Sequence, residues 1–595
     1  MSHLRIGPGA LLSILLAATV ARADNDVMLQ GFYWDNSGGW YKVLREQLPE
    51  LKKAGITAIW LPPPTKCDGG ASSNGYDPFD HYDLGEFDQH GSVATHFGTK
   101  QELIDLVALM HQSGIAAYAD VVLNHMMGAQ QEDNPLTQQK TWTRFSYQHP
   151  APAGAPGWAD VERLLGRSSP HGQDEPYLFN KTWMDFHRSV EHNDENGERH
   201  AAAFGSDLCQ AHAWVSGGLK LWGDWLTRTV GYDGYRVDFA KGLDEGFLND
   251  FLNYGAMKGK FAVREYWEGD ANNLDGWYNE AGSASVFDFP LFFRALNPMC
   301  NDTSGNNFKM SWLDGAGYAA KNAFRTVTFA ENHDTDRSNA ITNDKILAYA
   351  FILTMEGYPC LFYKDLYVYG MKDKIFELVD VRRRFAAGKT STLWKDDHLF
   401  IAQRNGNPGQ MDGLLIALNN SATDTRGEWM SVKSEWANKV LKLYSCAGNI
   451  NADNQDKFTG ETSDVTVQAD GRVRIWAPPR GYAIYAFDIG HALTGINAQI
   501  DQLQQEPRTP ENRKKLKELI RERDALTKQV ADGFHPRKDG PVTGKPDGFD
   551  APPVIQNPEW DSPARPTPPR PSPRPDLGPS ASTPGFLGPL DNTHH

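Results

Sequence analysis

At 595 residues the chain exceeds one ordinary domain and is long enough for two or three, each with its own core. Its 40% hydrophobic and 23% charged residues suit a globular protein, and a net charge of −16 argues against nucleic acid or an anionic lipid surface as the main partner, since both want a basic footprint. Five cysteines are too few and too scattered for a disulfide scaffold, and the composition leaves neutral ligands such as sugars open.

The chain begins like an export signal. His3 and Arg5 precede an apolar run at 11–18, followed by Ala21-Arg22-Ala23, the small-x-small pattern of a cleavage site. The run is shorter than the roughly 20 residues that span a bilayer, and no later segment reaches that length. The expectation is a signal peptide at 1–23 and a secreted mature chain, extracellular or periplasmic, with no membrane anchor.

From residue 26 to about 384, strand-like and helix-like stretches alternate. Short apolar runs fall at 27–32, 56–61, 115–123, 232–239, 261–266, 285–289, 324–330 and 358–363, with helical spacing at 100–112, 213–229 and 344–355. Eight such units predict a (β/α)8 barrel formed by 24–124 and 211–388, with a doubly wound open sheet as the alternative. The stretch 125–210, rich in Gly, Pro, Asn, His and aromatics, reads as an irregular subdomain inserted after the third strand. Alternating runs over 389–490 predict an antiparallel β-sandwich. Residues 491–535 read as two helices, the second charged with apolar spacing at Leu516, Leu519, Ile520 and Leu526; a solvated spacer is expected, with a helical hairpin or partner-binding segment as the alternative. The last segment, 536–595, holds 16 of the 36 prolines and reads as a disordered tail.

Barrel active sites lie at the C-terminal ends of the strands, and the polar residues there are informative. The third strand ends Asp120-Val121-Val122-Leu123-Asn124-His125, the fourth Gly234-Tyr235-Arg236-Val237-Asp238, the fifth Val263-Arg264-Glu265-Tyr266-Trp267, and the seventh Phe329-Ala330-Glu331-Asn332-His333-Asp334. Asp238, Glu265 and Asp334 thus end three strands and are placed to converge. The two-residue period puts Arg236 on the face of Asp238, where a guanidinium favours an ionised carboxylate. By the same alternation Arg264 points away from Glu265, toward the helices.

These four segments resemble, in order and spacing, the four signature regions of the α-amylase family, glycoside hydrolase family 13. Gly75-Tyr76-Asp77, Val286-Phe287-Asp288-Phe289-Pro290 and Gly357-Tyr358-Pro359 extend the resemblance, which runs over about 26–488 and sits closest to secreted archaeal-type and plant-type α-amylases. The resemblance implies retaining, endo-acting hydrolysis of α-1,4-glucosidic bonds in starch, glycogen and maltodextrins, with the α-glucan as partner; a monomer is expected. It implies Asp238 as nucleophile, Glu265 as acid/base and Asp334 as transition-state stabiliser. Tyr76 would stack beneath the sugar, His125, Arg236 and His333 would surround it, Lys241 would meet the leaving-group side, and Trp267 would bind glucan beside Glu265. It also implies Ca2+ held by Asn124, Asp207, the Gly242 carbonyl and one further carboxylate, Asp194 or else Glu195 or Glu198; oxygen donors suit that ion. His187, His192 and Cys209 match a structural Zn2+ trio of some relatives. A 4-α-glucanotransferase, with the same machinery, and a non-catalytic glucan-binding protein are the alternatives; the latter would be expected to lack a carboxylate.

Overall fold

The computed structural model describes residues 26–531, apart from 148, 169–179, 188–204, 281–283, 408–411 and 461–462. The leader expected at 1–23 and the tail expected at 536–595 therefore lie outside the described residues.

Each of the eight apolar runs holds one strand of a closed parallel barrel: β1 (Met28–Gln30), β2 (Ala58–Trp60), β3 (Ala116–Val121), β4 (Gly234–Val237), β5 (Phe261–Arg264), β6 (Ser285–Phe287), β7 (Thr326–Phe329) and β8 (Tyr358–Phe362). Neighbours in sequence are neighbours in space, and β1 closes the ring against β8. The open-sheet alternative is thereby excluded. The strands are apolar on both faces because one face fills the barrel and the other meets helices.

The helices follow their sequence signals. α1 (Trp40–Ala54) buries Trp40, Tyr41, Leu44, Leu48 and Leu51 and stops at Gly55, whose φ of 101° is a conformation glycine tolerates best. α2 (Lys100–Gln112) starts in a capping box, with Thr99 Oγ1 accepting from the Glu102 N–H at 3.3 Å and Glu102 Oε2 accepting from the Thr99 N–H at 3.0 Å. It buries Leu103, Leu106, Val107 and Met110, the stripe of a helix facing a core.

Beyond β3 the chain leaves the barrel. His125–Met126 pairs antiparallel with Ser206–Asp207, Gln130–Asn134 pairs with Gln139–Arg144, and the chain returns through α3 (Ala213–Val230). α4 (Lys345–Thr354) lies before β8 and α5 (Lys372–Phe385) after it.

The second sheet has six strands in the order β9-β10-β11-β16-β13-β14, where β9 is Thr390–Lys395, β10 Leu399–Arg404, β11 Leu414–Asn419, β13 Val440–Ala447, β14 Val465–Thr466 and β16 Gly481–Ala486. A separate antiparallel pair, β12 (Arg426–Ser431) with β15 (Arg472–Ala477), completes this region. Alternation along β10, β11 and β16 divides their side chains between two cores. Phe400, Ala402, Leu414, Ile416, Leu418, Tyr482 and Ile484 join the barrel's apolar core, while Leu399, Ile401, Leu415, Ala417, Ala483 and Tyr485 form the core of the β-domain. Arg480 pins the junction, donating to the carbonyls of Cys300 at 2.9 Å and Asp302 at 2.5 Å.

One expectation is corrected here. The helices α6 (Ile489–Gln505) and α7 (Pro510–Ala531) are not a solvated spacer. Ile496, Ile500 and Leu526 are buried in the β-domain core, with Leu516, Leu519 and Ile520 packed against it. The apolar spacing of α7 at Leu516, Leu519, Ile520 and Leu526 is the stripe that meets this core. Among the described residues no helix is long and apolar enough to cross a membrane.

Candidate active site

The strands deliver Asp238, Glu265 and Asp334 to one end of the barrel, around a single buried guanidinium. Arg236 is 1% exposed and stands beside Asp120 in the β3–β4 register. Its Nη1 meets Asp120 Oδ1 at 2.9 Å and Asp238 Oδ1 at 2.8 Å, and its Nη2 meets Glu265 Oε1 at 2.7 Å. The same-face placement of Arg236 and Asp238 is thus observed, but Arg236 serves three carboxylates rather than one. The second oxygen of Glu265, Oε2, accepts the Phe239 N–H at 3.0 Å. Phe239 holds φ at 42°, a strained conformation for a side chain with a Cβ.

Burial without enough positive charge governs the electrostatics. Desolvation holds the Asp238 carboxyl well above the ordinary carboxylate range; Arg236 opposes this, while Glu265, Asp120 and Asp334 add to it. Asp120 is pushed up to about 6 by burial against the pull of Arg236, and Asp334 also rises by burial. One guanidinium facing several carboxylates leaves the cluster holding a proton under conditions where isolated carboxylates would all be ionised.

Aromatic and imidazole groups line the approach. Tyr76 stacks on Trp34 (5.8 Å, 5°) and on His333 (5.2 Å, 15°), and its hydroxyl donates to Asp120 Oδ2 at 2.8 Å. Gln30 Nε2 lies 2.9 Å from His333 Nδ1; with the amide as donor, the His333 proton sits on Nε2, which lies 3.4 Å from Asp334 Oδ2. Burial lowers His333 to about 3, so the ring is neutral. His125 is buried and lowered for the same reason, and its Nε2 donates to the Tyr76 carbonyl at 2.9 Å, which ties the third βα loop to the Tyr76 segment. Lys241 and Trp267 stand farther out on the rim. Lys241 Nζ faces Glu268 at 4.0 Å and the Tyr266 ring at 5.0 Å, and Trp267 stacks on Phe289 at 4.5 Å.

Of the residues expected to bind metal, Asn124, His187, Asp207 and Cys209 lie at the root of the excursion after β3. The Asn124 carbonyl accepts the Leu208 N–H and the Asp207 carbonyl accepts the His187 N–H, both at 2.9 Å. Both polar atoms of the fully buried Asn124 side chain make no hydrogen bond, and a Cβ built on Gly242 would fall 2.0 Å from Asn124 Oδ1. A buried amide with no partner, tight against a glycine backbone, fits an oxygen-coordinated cation. Cys209 is fully buried, and its N–H donates to the Asp185 carbonyl at 2.9 Å. His192, Asp194, Glu195 and Glu198 lie outside the described residues. Among the described residues no group of three or more His, Cys, Asp and Glu side chains is arranged to hold a metal, and the expected zinc trio, which includes His192, lies partly outside them.

Several contributors went unread in the sequence. Asp120 opens the quoted third-strand motif, and its signal is the cross-strand partnership with Arg236. Trp60, which donates to Asp120 Oδ2 at 3.0 Å, and Gln30 lie in the first two strand segments, where they read as core, and Trp34 follows just after the first. Arg264 does point to the helix side, as alternation requires, and donates to Asn249 Oδ1 at 3.0 Å.

Residues 18–398 match the family described as alpha amylase, catalytic domain. The chain belongs to the alpha-amylase family. It is 31% identical to glucan 1,4-alpha-maltohexaosidase of Bacillus sp. (strain 707), over 79% of this chain and 96% of that one. It is 32% identical to an alpha-amylase of Geobacillus stearothermophilus, over 78% and 88%. The fold matches the solved structure of an alpha-amylase from Malbranchea cinnamomea with a TM-score of 0.55 at 17% identity, covering 78% of this chain and 96% of that one.

Proposed function

We propose that the chain is an endo-acting α-1,4-glucan hydrolase that cleaves starch, glycogen and maltodextrins with retention of configuration. The observation that carries the mechanism is Arg236, which holds Asp238 on Nη1 and Glu265 on Nη2 and so keeps two carboxylates of different strands close together. Close carboxylates are what double displacement needs, because one must attack the anomeric carbon directly, with no intervening water.

Asp238 attacks the anomeric carbon while Glu265, drawing on the proton of the cluster, protonates the departing glycosidic oxygen. The C–O bond breaks, the shortened glucan leaves, and Glu265 then takes a proton from the water that releases the sugar from Asp238. Asp334 and the neutral Nε2–H of His333 grip sugar hydroxyls as the ring flattens, and Tyr76 supplies the stacking face. Lys241 meets the glucan on the leaving-group side, and Trp267 binds it beside Glu265.

Asn124, Asp207 and the Gly242 carbonyl would hold Ca2+, which would cross-link the excursion after β3 to the loop after Asp238. Asp194 remains the proposed fourth donor. Export rests on the leader-like segment 1–23, and the enzyme is proposed to work as a monomer. The mechanism is tested by following the anomeric configuration of the first-formed product by NMR. Retention is expected; inversion would overturn the assignment of Asp238.

A further inference from the structure

The segment 331–341 carries His333 and Asp334 beyond the end of β7, outside any sheet pairing. One buried carboxylate gathers both parts of it. Glu331 is 1% exposed; its Oε2 accepts the Ile341 N–H at 2.9 Å and its Oε1 accepts the Thr335 hydroxyl. Thr335 Oγ1 in turn accepts the Asn332 N–H at 3.0 Å, and Asn332 Oδ1 accepts the N–H groups of Asp334 and Thr335, both at 2.9 Å. The backbone of Asp334 is therefore boxed between Asn332 and Thr335, and that box hangs on Glu331.

A buried carboxylate needs a cation. Lys345, at the start of α4, meets Glu331 Oε2 at 3.3 Å and Asp365 Oδ1 at 2.7 Å, and Asp365 accepts the Tyr349 hydroxyl at 2.5 Å. The far side of the segment is held separately by Lys364, 2.7 Å from Asp336 and 3.3 Å from Asp35. Among the described residues no hydrogen bond or ion pair joins Glu331, Lys345 or Asp365 to Asp238, Glu265 or Asp334, so they act on the site through geometry.

We propose that Glu331, anchored by Lys345, is a positioning residue that clasps the 331–341 segment and fixes where Asp334 stands. This rests on the reading of Asp334 as the transition-state stabiliser. A displacement of about 1 Å at such a group costs about a hundredfold in rate, whereas substrate affinity spread over many contacts changes little.

The test compares full-length Glu331→Ala, Glu331→Gln, Thr335→Val and Asp334→Asn, measuring kcat and KM on a soluble chromogenic maltooligosaccharide, with Tm alongside. Glu331→Ala is expected to lose about tenfold to a hundredfold in kcat while KM stays within about threefold. Glu331→Gln, whose amide oxygen still accepts one bond, should recover most of that loss. Thr335→Val removes the hydroxyl, and with it both the link to Glu331 and the acceptor of the Asn332 N–H, and keeps the proposal testable if Glu331→Ala does not fold; its kcat should fall by about threefold to tenfold at a modest cost in Tm. Unchanged kcat in folded Thr335→Val or Glu331→Ala would overturn the proposal, and so would losses that appear in Tm alone. Wild-type kcat in Asp334→Asn would instead overturn the reading on which it rests.

Discussion

Replacing Asp120 by Asn removes one charge from the floor of the site at almost constant volume. Asp120 is 1% exposed, its Oδ2 accepts from Tyr76 at 2.8 Å and Trp60 at 3.0 Å, and Arg236 Nη1 reaches both of its oxygens, at 2.9 and 3.1 Å. An amide offers one acceptor oxygen and one NH2, so in either orientation its NH2 faces a donor, the Trp60 indole or the guanidinium. Breaking a buried ion pair from one side costs about 3–5 kcal/mol, and a stability loss of that order is expected. The effect on chemistry has a definite sign. Asp120 and Asp238 sit 2.9 and 2.8 Å from the same Nη1. Two like charges about 5–6 Å apart repel by about 3 kcal/mol at an effective dielectric near 20. Asp120 is among the groups that hold Asp238 above the carboxylate range, so removing its charge lets Asp238 ionise at lower pH. The acidic limb of kcat/KM against pH reports ionisation of the group that must attack, and it should move to lower pH. The assay is a pH profile on a soluble maltooligosaccharide, with folding checked by Tm. An acidic limb that stays in place, or moves up, in the folded variant would refute the shared-guanidinium argument.

The wild-type enzyme should itself lose activity on the acid side above the range of an ordinary carboxylate, because burial raises Asp238 and Asp334 and both must be ionised; a limb near 3.8, the ordinary Asp value, would contradict this. Tyr76→Phe keeps the stack on Trp34 and His333 but loses the bond to Asp120, so about 1 kcal/mol of stability should go with little change in KM, whereas Tyr76→Ala should raise KM several-fold. Chelation of Ca2+ should lower Tm in the wild type and leave Asn124→Ala, already weakened, with a much smaller response; equal responses would remove Asn124 from the site. Ending the chain at Asp488 should destabilise the β-domain by on the order of 5 kcal/mol, because the burial of Ile496, Ile500 and Leu526 is lost. An unchanged Tm in that truncation would show that the helices contribute nothing to its core.

The barrel was legible because eight apolar runs separated by helical spacing admit few architectures, and the polar residues at strand ends stand out against that background. Arg236 and Asp238 were legible as a pair because a strand alternates its faces. What stayed hidden depends on contacts between strands. Asp120 gains its role only from sitting beside Arg236, and Gln30 only from meeting His333 across the closed barrel. Trp34 and Trp60 look in sequence like any core tryptophan. The terminal helices misled for the opposite reason, since a charged helix reads as solvated until the apolar surface it covers is known. Glu331 stood in view within a signature motif, yet its partners Ile341, Lys345 and Asp365 lie ten or more residues away.

The most direct measurement of the central claim is digestion of starch by the full chain beside its Glu265→Gln variant, following iodine staining and separating the products by chromatography. The account predicts a rapid fall in staining with mixed maltooligosaccharides for the wild type, and neither for the variant, since the amide cannot donate the proton that releases the leaving sugar. Undiminished cleavage by Glu265→Gln, or wild-type binding with no cleavage, would contradict it.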